Sequence, residues 1–206
     1  KFPNIKSKVV VIPNGTNWKG KKQFKTKKVS RDKEGRVRIM CVSRWEPYKN
    51  LSFLFSLLRF APKITLTLVT DKKGIRKSKK QAQDLIREGR LFLASNLSQD
   101  QLSHSYLSSD VYIHPSFYEG FCLPAAEALS CGLPVVYMKG SGLDETVPRL
   151  LGEAVDRLAG VEGWLAALYK AEQKSTGEQK ERERLLALQP TWSAAGQALA
   201  DLYGSL

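Results

Sequence analysis

Cysteine and long apolar runs are both scarce in this sequence. Only three of the 206 residues are cysteines, and no two of them form a Cys-x-x-Cys pair, which argues against a disulfide framework and for a reducing compartment. The longest apolar run, Leu51–Phe60, contains two serines and an arginine and is far shorter than the roughly 20 residues that a membrane span requires. We therefore expect a cytoplasmic protein that has no membrane anchor.

Acidic residues are the minority among the charged side chains. The chain has 33 basic and 20 acidic residues, a net charge of +13, with basic clusters at residues 19–33 and 72–80 that we interpret as loops or solvated faces. This excess predicts an anionic partner but does not choose among nucleic acid, anionic lipid and phosphorylated small molecules. Aromatic residues do not alternate with the basic ones as a stacking surface requires, so nucleic acid is the least favoured.

Short β-rich runs alternate with helical patterns over about the first 160 residues. The predicted strands are residues 9–12, 38–42, 64–69, 91–93, 111–114 and 133–137. The predicted helices between them are residues 51–60, 81–88, 98–107 and 124–130. This alternation indicates an α/β fold, a Rossmann-like parallel sheet with helices on both faces. Ligands of such a sheet bind beyond the carboxyl ends of its strands.

The last part of the chain has a different pattern. From about residue 161 it is helical only, with predicted helices at residues 161–172, 177–188 and 192–203. No new strand supplies this part with a core of its own. We therefore predict a single domain over residues 1–206, in which a core of about residues 1–160 carries a helical C-terminal tail, residues 161–206, packed on it.

Residues 115–136 contain the pattern that indicates chemistry. Pro124 follows a loop that contains glycine and is expected at the first position of a helix, where its missing N–H costs nothing. The backbone amides of residues 120–123 are then free to bind a ligand, and the start of the helix favours a phosphate there. Glu119 and Glu127 flank this site, one from the loop and one from the first turn of the helix.

Two carboxylates beside an anion site suit a sugar nucleotide better than a bare phosphate. Glutamates repel a phosphate alone, whereas sugar hydroxyls can donate hydrogen bonds to carboxylates while the diphosphate binds amides and basic side chains. Arg44 and Lys49 follow the second predicted strand and are expected at the carboxyl edge of the sheet. His114, at the end of another predicted strand, is interpreted as a core or supporting histidine.

Four segments give the sequence a family resemblance. They are Ile12-Pro-Asn-Gly, the segment from Arg44 to Lys49, the two glutamates with seven residues between them, and Gly140-Ser-Gly-Leu-Asp-Glu-Thr-Val. Through these segments nearly the whole chain resembles the C-terminal, donor-binding domain of GT-B fold glycosyltransferases of the family 4-like group, the glycosyl transferases group 1 domain. The resemblance implies one half of a GT-B fold. It also implies retaining transfer of a sugar from a UDP- or GDP-linked nucleotide sugar to an acceptor, in glycan or lipid-linked saccharide synthesis.

The resemblance implies a role for each candidate residue. Arg44 and Lys49 would contact the donor diphosphate and Glu119 the sugar hydroxyls, which makes these three residues the catalytic candidates. Glu127 would hold the ribose. The other donor-binding candidates, whose amides would face the phosphate and the sugar, are Gly120, Phe121, Cys122 and Leu123. No metal and no cofactor are implied, in agreement with the absence of an Asp-x-Asp pair from the sequence.

The sequence departs from the family at Cys122, which stands where the family usually has glycine. A close approach of the backbone to the ligand is therefore less assured at this position.

The same resemblance sets expectations about partners. GT-B enzymes place the active site between two halves, so we expect this chain to bind donor but to transfer poorly without an N-terminal acceptor-binding domain. Similar enzymes work on lipid-linked acceptors at the cytoplasmic face of a membrane, which predicts that residues 19–33 contact anionic lipid. The alternative is a basic module that binds nucleic acid or an anionic membrane without catalysis.

Overall fold

A single parallel sheet organises the molecule. The computed structural model describes residues 31–148, 150–174 and 191–204, together with residues 12 and 15. The strands in this part of the chain are β1 Val37–Val42, β2 Ile64–Val69, β3 Leu91–Ala94, β4 Val111–His114, β5 Val135–Met138 and β6 Gly152–Val155. The helices are α1 Leu51–Phe60, α2 Lys72–Gln81, α3 Gln83–Arg87, α4 Gln99–Ser108, α5 Leu123–Ser130, α6 Leu143–Thr146, α7 Gly160–Lys174 and α8 Trp192–Gly204.

The strand order confirms the predicted α/β class. The six strands pair in parallel in the order β3-β2-β1-β4-β5-β6. From β1, the chain adds β2 and β3 on one side of the sheet. It then crosses back to place β4 on the other side of β1 and adds β5 and β6 beyond it. The connections that leave β1 and β4 diverge, and in a sheet of this order the space between them is where a ligand binds.

Alternate residues of the strands pack against different helices. On β1, Ile39 and Cys41 belong to the core cluster that includes the buried face of α1 and part of α7. Met40, between them, belongs to the cluster on the other face, which includes Tyr106 of α4 and Leu129 of α5. Successive side chains of a strand point to opposite faces of the sheet, so these contacts show that helices cover both faces.

Local sequence signals explain where several helices begin. In α4, the Ser98 hydroxyl accepts from the Gln101 amide and the Gln101 side chain accepts from the Ser98 amide, so the predicted capping box is confirmed. The predicted helix at residues 51–60 is also confirmed: α1 follows Asn50, which has φ 52°, a left-handed conformation that asparagine tolerates. The buried positions of α1, spaced three and four residues apart, form one apolar face.

The structure decides between or changes several expectations about elements. Of the two interpretations of the basic cluster at residues 72–80, a loop or a solvated face, the second holds: residues 72–81 form the helix α2, and the Asp71 side chain accepts from the Gly74 amide and caps its start. The basic residues of α2 are exposed, as a solvated face requires. The short edge strand β6 was not predicted, because its four residues carry little apolar alternation. Helix α5 begins at Leu123, so Pro124 is its second residue and not its first.

The C-terminal helices differ in how they are buried. Helix α7 places Trp164, Leu168 and Ala171 in the core cluster beside α1. Helix α8 contains no buried residue. The predicted strand at residues 9–12, apart from residue 12, and the predicted helix at residues 177–188 lie outside the described residues. The single-domain boundary and the packing of the whole tail therefore stay predictions.

Candidate functional site

A cleft lies at the carboxyl ends of β1, β2 and β4. Its volume is about 330 Å³. It is the place where the strand order predicts a ligand, because the connections after β1 and β4 diverge there. The residues that line it are Val42, Ser43, Arg44, Lys49, Val69, Thr70, Asp71, His114, Glu119, Cys122 and Pro124.

The two predicted basic residues reach this cleft from the connection after β1. A short 3₁₀ turn, Pro47–Lys49, ends at the left-handed Asn50 and places Lys49 at the cleft. The Tyr48 carbonyl accepts from the Phe117 amide at 2.9 Å, which holds the turn against the connection after β4. Arg44 is exposed at the mouth and makes no ion pair within the described part of the chain.

Lys49 and Glu119 join the two connections directly. The Lys49 ammonium donates to Glu119 Oε1 at 2.5 Å, and the two side chains retain 15% and 9% of their exposure. The same Oε1 lies 2.5 Å from His114 Nε2. Glu119 is therefore held between an ammonium and an imidazole at the edge of the cleft, with its carboxylate already positioned.

These contacts set the charge of Glu119. Burial raises the pKa of this carboxyl, but hydrogen bonds and charge attraction from His114 and Lys49 outweigh burial and lower the pKa to about 2. Burial lowers the pKa of His114, and its interactions with Cys122, Cys41 and Glu119 outweigh that effect, so the pKa lies well above its usual range. At neutral pH the site therefore contains an ionised Glu119 that can accept hydrogen bonds.

His114 agrees with its interpretation as a core or supporting histidine. It is only 2% exposed, yet its ring lines the cleft and contacts Glu119, while Tyr112 Oη lies 3.1 Å from its Nδ1. Its position at the last residue of β4 was the available signal. Thr70, the residue after β2, was missed by the sequence analysis: its hydroxyl is buried and has no hydrogen-bond partner among the described residues.

The loop before α5 presents unused backbone donors. Within the described residues, no acceptor is found for the amides of residues 120–123, whereas the Glu119 carbonyl accepts from the Gly142 amide at 2.9 Å. A Cβ on Gly142 would lie 1.7 Å from the Gly120 carbonyl oxygen, so only glycine permits this approach. Cys122 has φ 57°, which explains why glycine is the residue expected here.

Glu127 occupies a different environment from Glu119. It is half-buried on α5 and does not line the cleft described above. Tyr106 donates its hydroxyl to Glu127 Oε2 at 2.9 Å. Burial raises the pKa of Glu127, and the hydrogen bond from Tyr106 acts in the opposite direction. The structure thus brings Arg44, Lys49 and Glu119 together and leaves Glu127 beside this group.

One cluster in the cleft has the composition of a metal site. The ligand atoms of His114, Glu119 and Cys122 all lie within 4.8 Å of one another. Cys122 Sγ is 3.6 Å from His114 Nε2.

None of the described helices is long and apolar enough to cross a membrane.

A Rossmann-like sheet with free amides and basic side chains at its switch point is a class of fold and site that suits a phosphorylated ligand. The chain belongs to the glycosyl transferases group 1 family, whose model matches residues 22–173. This match confirms the family resemblance that the sequence motifs indicated.

Two curated relatives show how this chain compares with longer proteins. Over 151 residues it is 34% identical to MMP alpha-(1->4)-mannosyltransferase of Mycolicibacterium hassiacum, an alignment of 67% of this chain and 37% of the relative. It is 28% identical over 184 residues to D-inositol 3-phosphate glycosyltransferase of Segniliparus rotundus, covering 80% of this chain and 39% of that protein. The chain therefore spans about two fifths of the length of these relatives.

Solved structures show the same fold at low sequence identity. The sucrose-phosphate synthase of Thermosynechococcus elongatus matches with a TM-score of 0.75 and 22% identity over 94% of this chain and 51% of its own. The apo form of the lipopolysaccharide outer core galactosyltransferase WaaB gives a TM-score of 0.75 and 16% identity over 97% of this chain and 57% of its own. The chain thus has the fold of about half of these glycosyltransferase structures.

Proposed function

We propose that this chain is the donor-binding domain of a retaining glycosyltransferase, and that it binds a nucleotide-diphosphate sugar at the cleft between β1 and β4. One observation carries the proposal: Arg44 and Lys49 line the same cleft as Cys122, which belongs to the run of residues 120–123 whose amides have no acceptor among the described residues. Amides at a helix start and basic side chains are the groups that bind phosphate. The diphosphate is therefore assigned to this position.

The proposed mechanism is electrostatic. When the bond between the sugar and the diphosphate breaks, negative charge grows on the departing phosphate. Arg44, Lys49 and the amides before α5 are already in place to stabilise that charge, and in a partly dry cleft such donors have a large effect. The transfer needs no metal ion and no general-base carboxylate in this proposal.

The sugar is assigned to the Glu119 side of the cleft. Glu119 remains ionised because its pKa is about 2, so it can accept hydrogen bonds from sugar hydroxyls. The unpaired Thr70 hydroxyl offers a further polar contact. Glu127, on the other side of Pro124, is proposed to hold the ribose, as the family resemblance implies. The relatives named above transfer sugars according to their names, which supports a nucleotide sugar over other phosphorylated ligands.

Acceptor binding is assigned to a partner domain outside this sequence. The chain covers about two fifths of its relatives, which agrees with one half of a GT-B enzyme. We further propose that the enzyme works in the cytoplasm at an anionic membrane face. The exposed basic residues of α2 favour that location, since one helix presents six of them: Lys72, Lys73, Arg76, Lys77, Lys79 and Lys80.

Isothermal titration calorimetry with UDP- and GDP-sugars tests the donor site. We expect saturable binding that Lys49→Ala weakens about 10-fold or more, because a charge-assisted hydrogen bond contributes roughly 1.5–3 kcal/mol. The matched control is Lys63→Ala, which removes an exposed lysine just before β2, at the opposite edge of the sheet. That variant should bind as the unmodified chain does.

Two results would contradict this assignment. No saturable heat with any nucleotide sugar would remove the donor site, and equal affinity of the Lys49 and Lys63 variants would move it elsewhere. If the chain instead bound anionic vesicles or nucleic acid with an affinity that fell steeply with salt, the non-catalytic alternative would be favoured.

A further inference from the structure

We propose that His114, Glu119 and Cys122 form a zinc site that is distinct in chemistry from the donor site and shares its cleft. The three side chains offer an imidazole nitrogen, a carboxylate oxygen and a thiol sulfur within 4.8 Å of one another. These are the three ligand types that Zn²⁺ takes in proteins. His114 and Cys122 are buried, with 2% and 8% exposure, so two of the ligands have little freedom to move away.

The spacing between sulfur and nitrogen suits a tetrahedral zinc ion. Zinc bonds of about 2.3 Å to sulfur and about 2.0–2.1 Å to nitrogen place these two ligand atoms about 3.6 Å apart at a tetrahedral angle. Cys122 Sγ and His114 Nε2 are 3.6 Å apart. Glu119 Oε1 lies 2.5 Å from the same nitrogen and would retreat about 1 Å to reach a tetrahedral position.

The far side of the His114 ring is arranged as it is in zinc sites. The Val42 carbonyl can only accept, and Tyr112 Oη lies 3.3 Å from it and 3.1 Å from His114 Nδ1. When the Tyr112 hydroxyl donates to Val42, it accepts from Nδ1–H, and all three groups are satisfied. The Nε2 lone pair then faces a carboxylate and a thiol, where a cation is required: either a proton or a metal ion. Zinc-binding histidines usually donate their other N–H in this way.

Lys49 is the competitor for this site. Its ammonium binds Glu119 Oε1, so zinc must displace Lys49 from that oxygen. On binding, Zn²⁺ replaces the proton between His114 and Glu119 and the thiol proton of Cys122, and both protons go to solvent. The thiolate and the carboxylate balance the two charges of the ion. The fourth ligand position opens into the cleft, where water completes the tetrahedron.

Cobalt titration of the purified, metal-free 206-residue chain tests the site directly. Co²⁺ bound to a thiolate gives a charge-transfer band in the near ultraviolet, and added Zn²⁺ should remove the band as it displaces cobalt. We expect one equivalent of metal per chain. Cys122→Gly should abolish the band and weaken Zn²⁺ binding about 100-fold or more, at the upper end of what lost ligand support costs. Glycine suits the φ of 57° at this position, so the variant keeps the local backbone.

Matched variants separate this cysteine from the other two. Cys131→Ala and Cys41→Ala should keep the band, although Cys41 also interacts with His114. A band that survives Cys122→Gly, that is lost in either control, or that never appears overturns the proposal. If Cys122→Gly does not fold, iodoacetamide labelling of the unmodified chain decides: Zn²⁺ must protect Cys122 from alkylation, and unprotected labelling overturns the site.

Only the consequence for activity rests on the proposed function. Zinc that removes Lys49 from Glu119 should inhibit sugar transfer by the full-length enzyme. A cobalt band with the expected variant pattern but without inhibition would contradict the donor assignment and leave the metal site intact. Inhibition without the band would contradict the metal site.

Discussion

An ion pair links the neighbourhoods of β1 and β4 at each end of these strands, and the two pairs differ in how completely their groups are satisfied. At the amino end, the Arg38 guanidinium binds both oxygens of Asp110, and the Arg38 amide adds a third hydrogen bond. At the carboxyl end, Lys49 and His114 both form hydrogen bonds with the same oxygen of Glu119, Oε1. No hydrogen bond or ion pair to Glu119 Oε2 is found among the described residues.

The comparison separates a structural pair from a binding site. The Asp110 side chain is fully buried, and both of its carboxylate oxygens already accept hydrogen bonds from Arg38. It is therefore not available to bind a ligand. Around Glu119, by contrast, the described chain leaves an exposed Arg44 without an ion pair, four amides without an acceptor, and a buried Thr70 hydroxyl without a hydrogen-bond partner. Buried polar groups are normally satisfied, so the Thr70 hydroxyl in particular indicates that a ligand supplies partners at the switch point.

The largest expected effect belongs to the amino end. Asp110→Ala should lower the free energy of unfolding by about 3–5 kcal/mol, because it leaves the Arg38 charge and amide without their buried partner. Urea unfolding followed by circular dichroism measures this. The remaining folded fraction should bind nucleotide sugar with unchanged affinity, since the substitution lies at the opposite edge of the sheet.

A double variant is the control for that experiment. Replacing both partners with apolar residues, Arg38→Met with Asp110→Leu, should recover most of the lost stability, because it removes the arginine charge together with the carboxylate that balances it. A single variant as stable as the unmodified chain would show that the amino-end pair does not stabilise the fold, and the contrast between the two ends would fail.

At the carboxyl end the expected effect depends on pH. The pKa of Glu119 is lowered from 4.5 to about 2 in the folded chain. Because the folded pKa is the lower one, this carboxylate stabilises the fold fully above about pH 4.5, and its contribution is lost as pH falls toward 2. Glu119→Gln should therefore cost about 2 kcal/mol at pH 7, after allowance for partial solvent screening, and almost nothing near pH 2.

Urea unfolding of both proteins at pH 7, 5 and 3 measures this difference. Asp84, whose pKa is also about 2 because of Arg59, loses its contribution over the same range in both proteins, so it cancels in the comparison. A stability difference that stays constant from pH 7 to pH 3 would contradict the assignment of the low pKa to Glu119.

The sequence predicted the elements whose signals are local. The capping box of α4 and the apolar period of α1 identify those helices from the sequence alone. The residues around β6 and α2 gave weaker signals: β6 is a short edge strand, and α2 has a solvated, basic surface with little apolar content. Strand order was not readable, because pairing between strands distant in sequence depends on packing and not on local pattern.

The part of the site that follows the strands was predictable, because the carboxyl ends of parallel strands lie at the same edge of the sheet. Arg44, Lys49 and Glu119 follow β1 and β4, and the structure brings all three to one cleft. The sequence predicts a core or supporting role for His114 but not which contact it makes, since a histidine ending a buried strand has the same sequence pattern whether its ring faces the core or a cleft. Its contact with Glu119 depends on the turn of residues 115–119, which the sequence does not specify.

A smaller effect is expected for the pair that lies between these two extremes. Tyr106 is buried, and its hydroxyl donates to the half-buried Glu127. Tyr106→Phe removes a hydrogen bond to a charged group and should cost about 1.5 kcal/mol of stability. Because this bond lowers a pKa that burial raises, its loss should raise the pKa of Glu127 further. Carboxyl-resolved NMR titration measures that change.

The same variant shows whether Glu127 belongs with the structural pair or with the binding site. If Glu127 holds the ribose, Tyr106→Phe should weaken nucleotide-sugar binding several-fold, and most strongly at the lower pH values, where more of Glu127 is protonated. Tyr203→Phe, which changes an exposed tyrosine on α8, is the control and should alter neither quantity. A raised pKa with unchanged donor affinity would place Glu127 with Asp110, as a residue that supports the fold, and would limit the site to the cleft around Glu119.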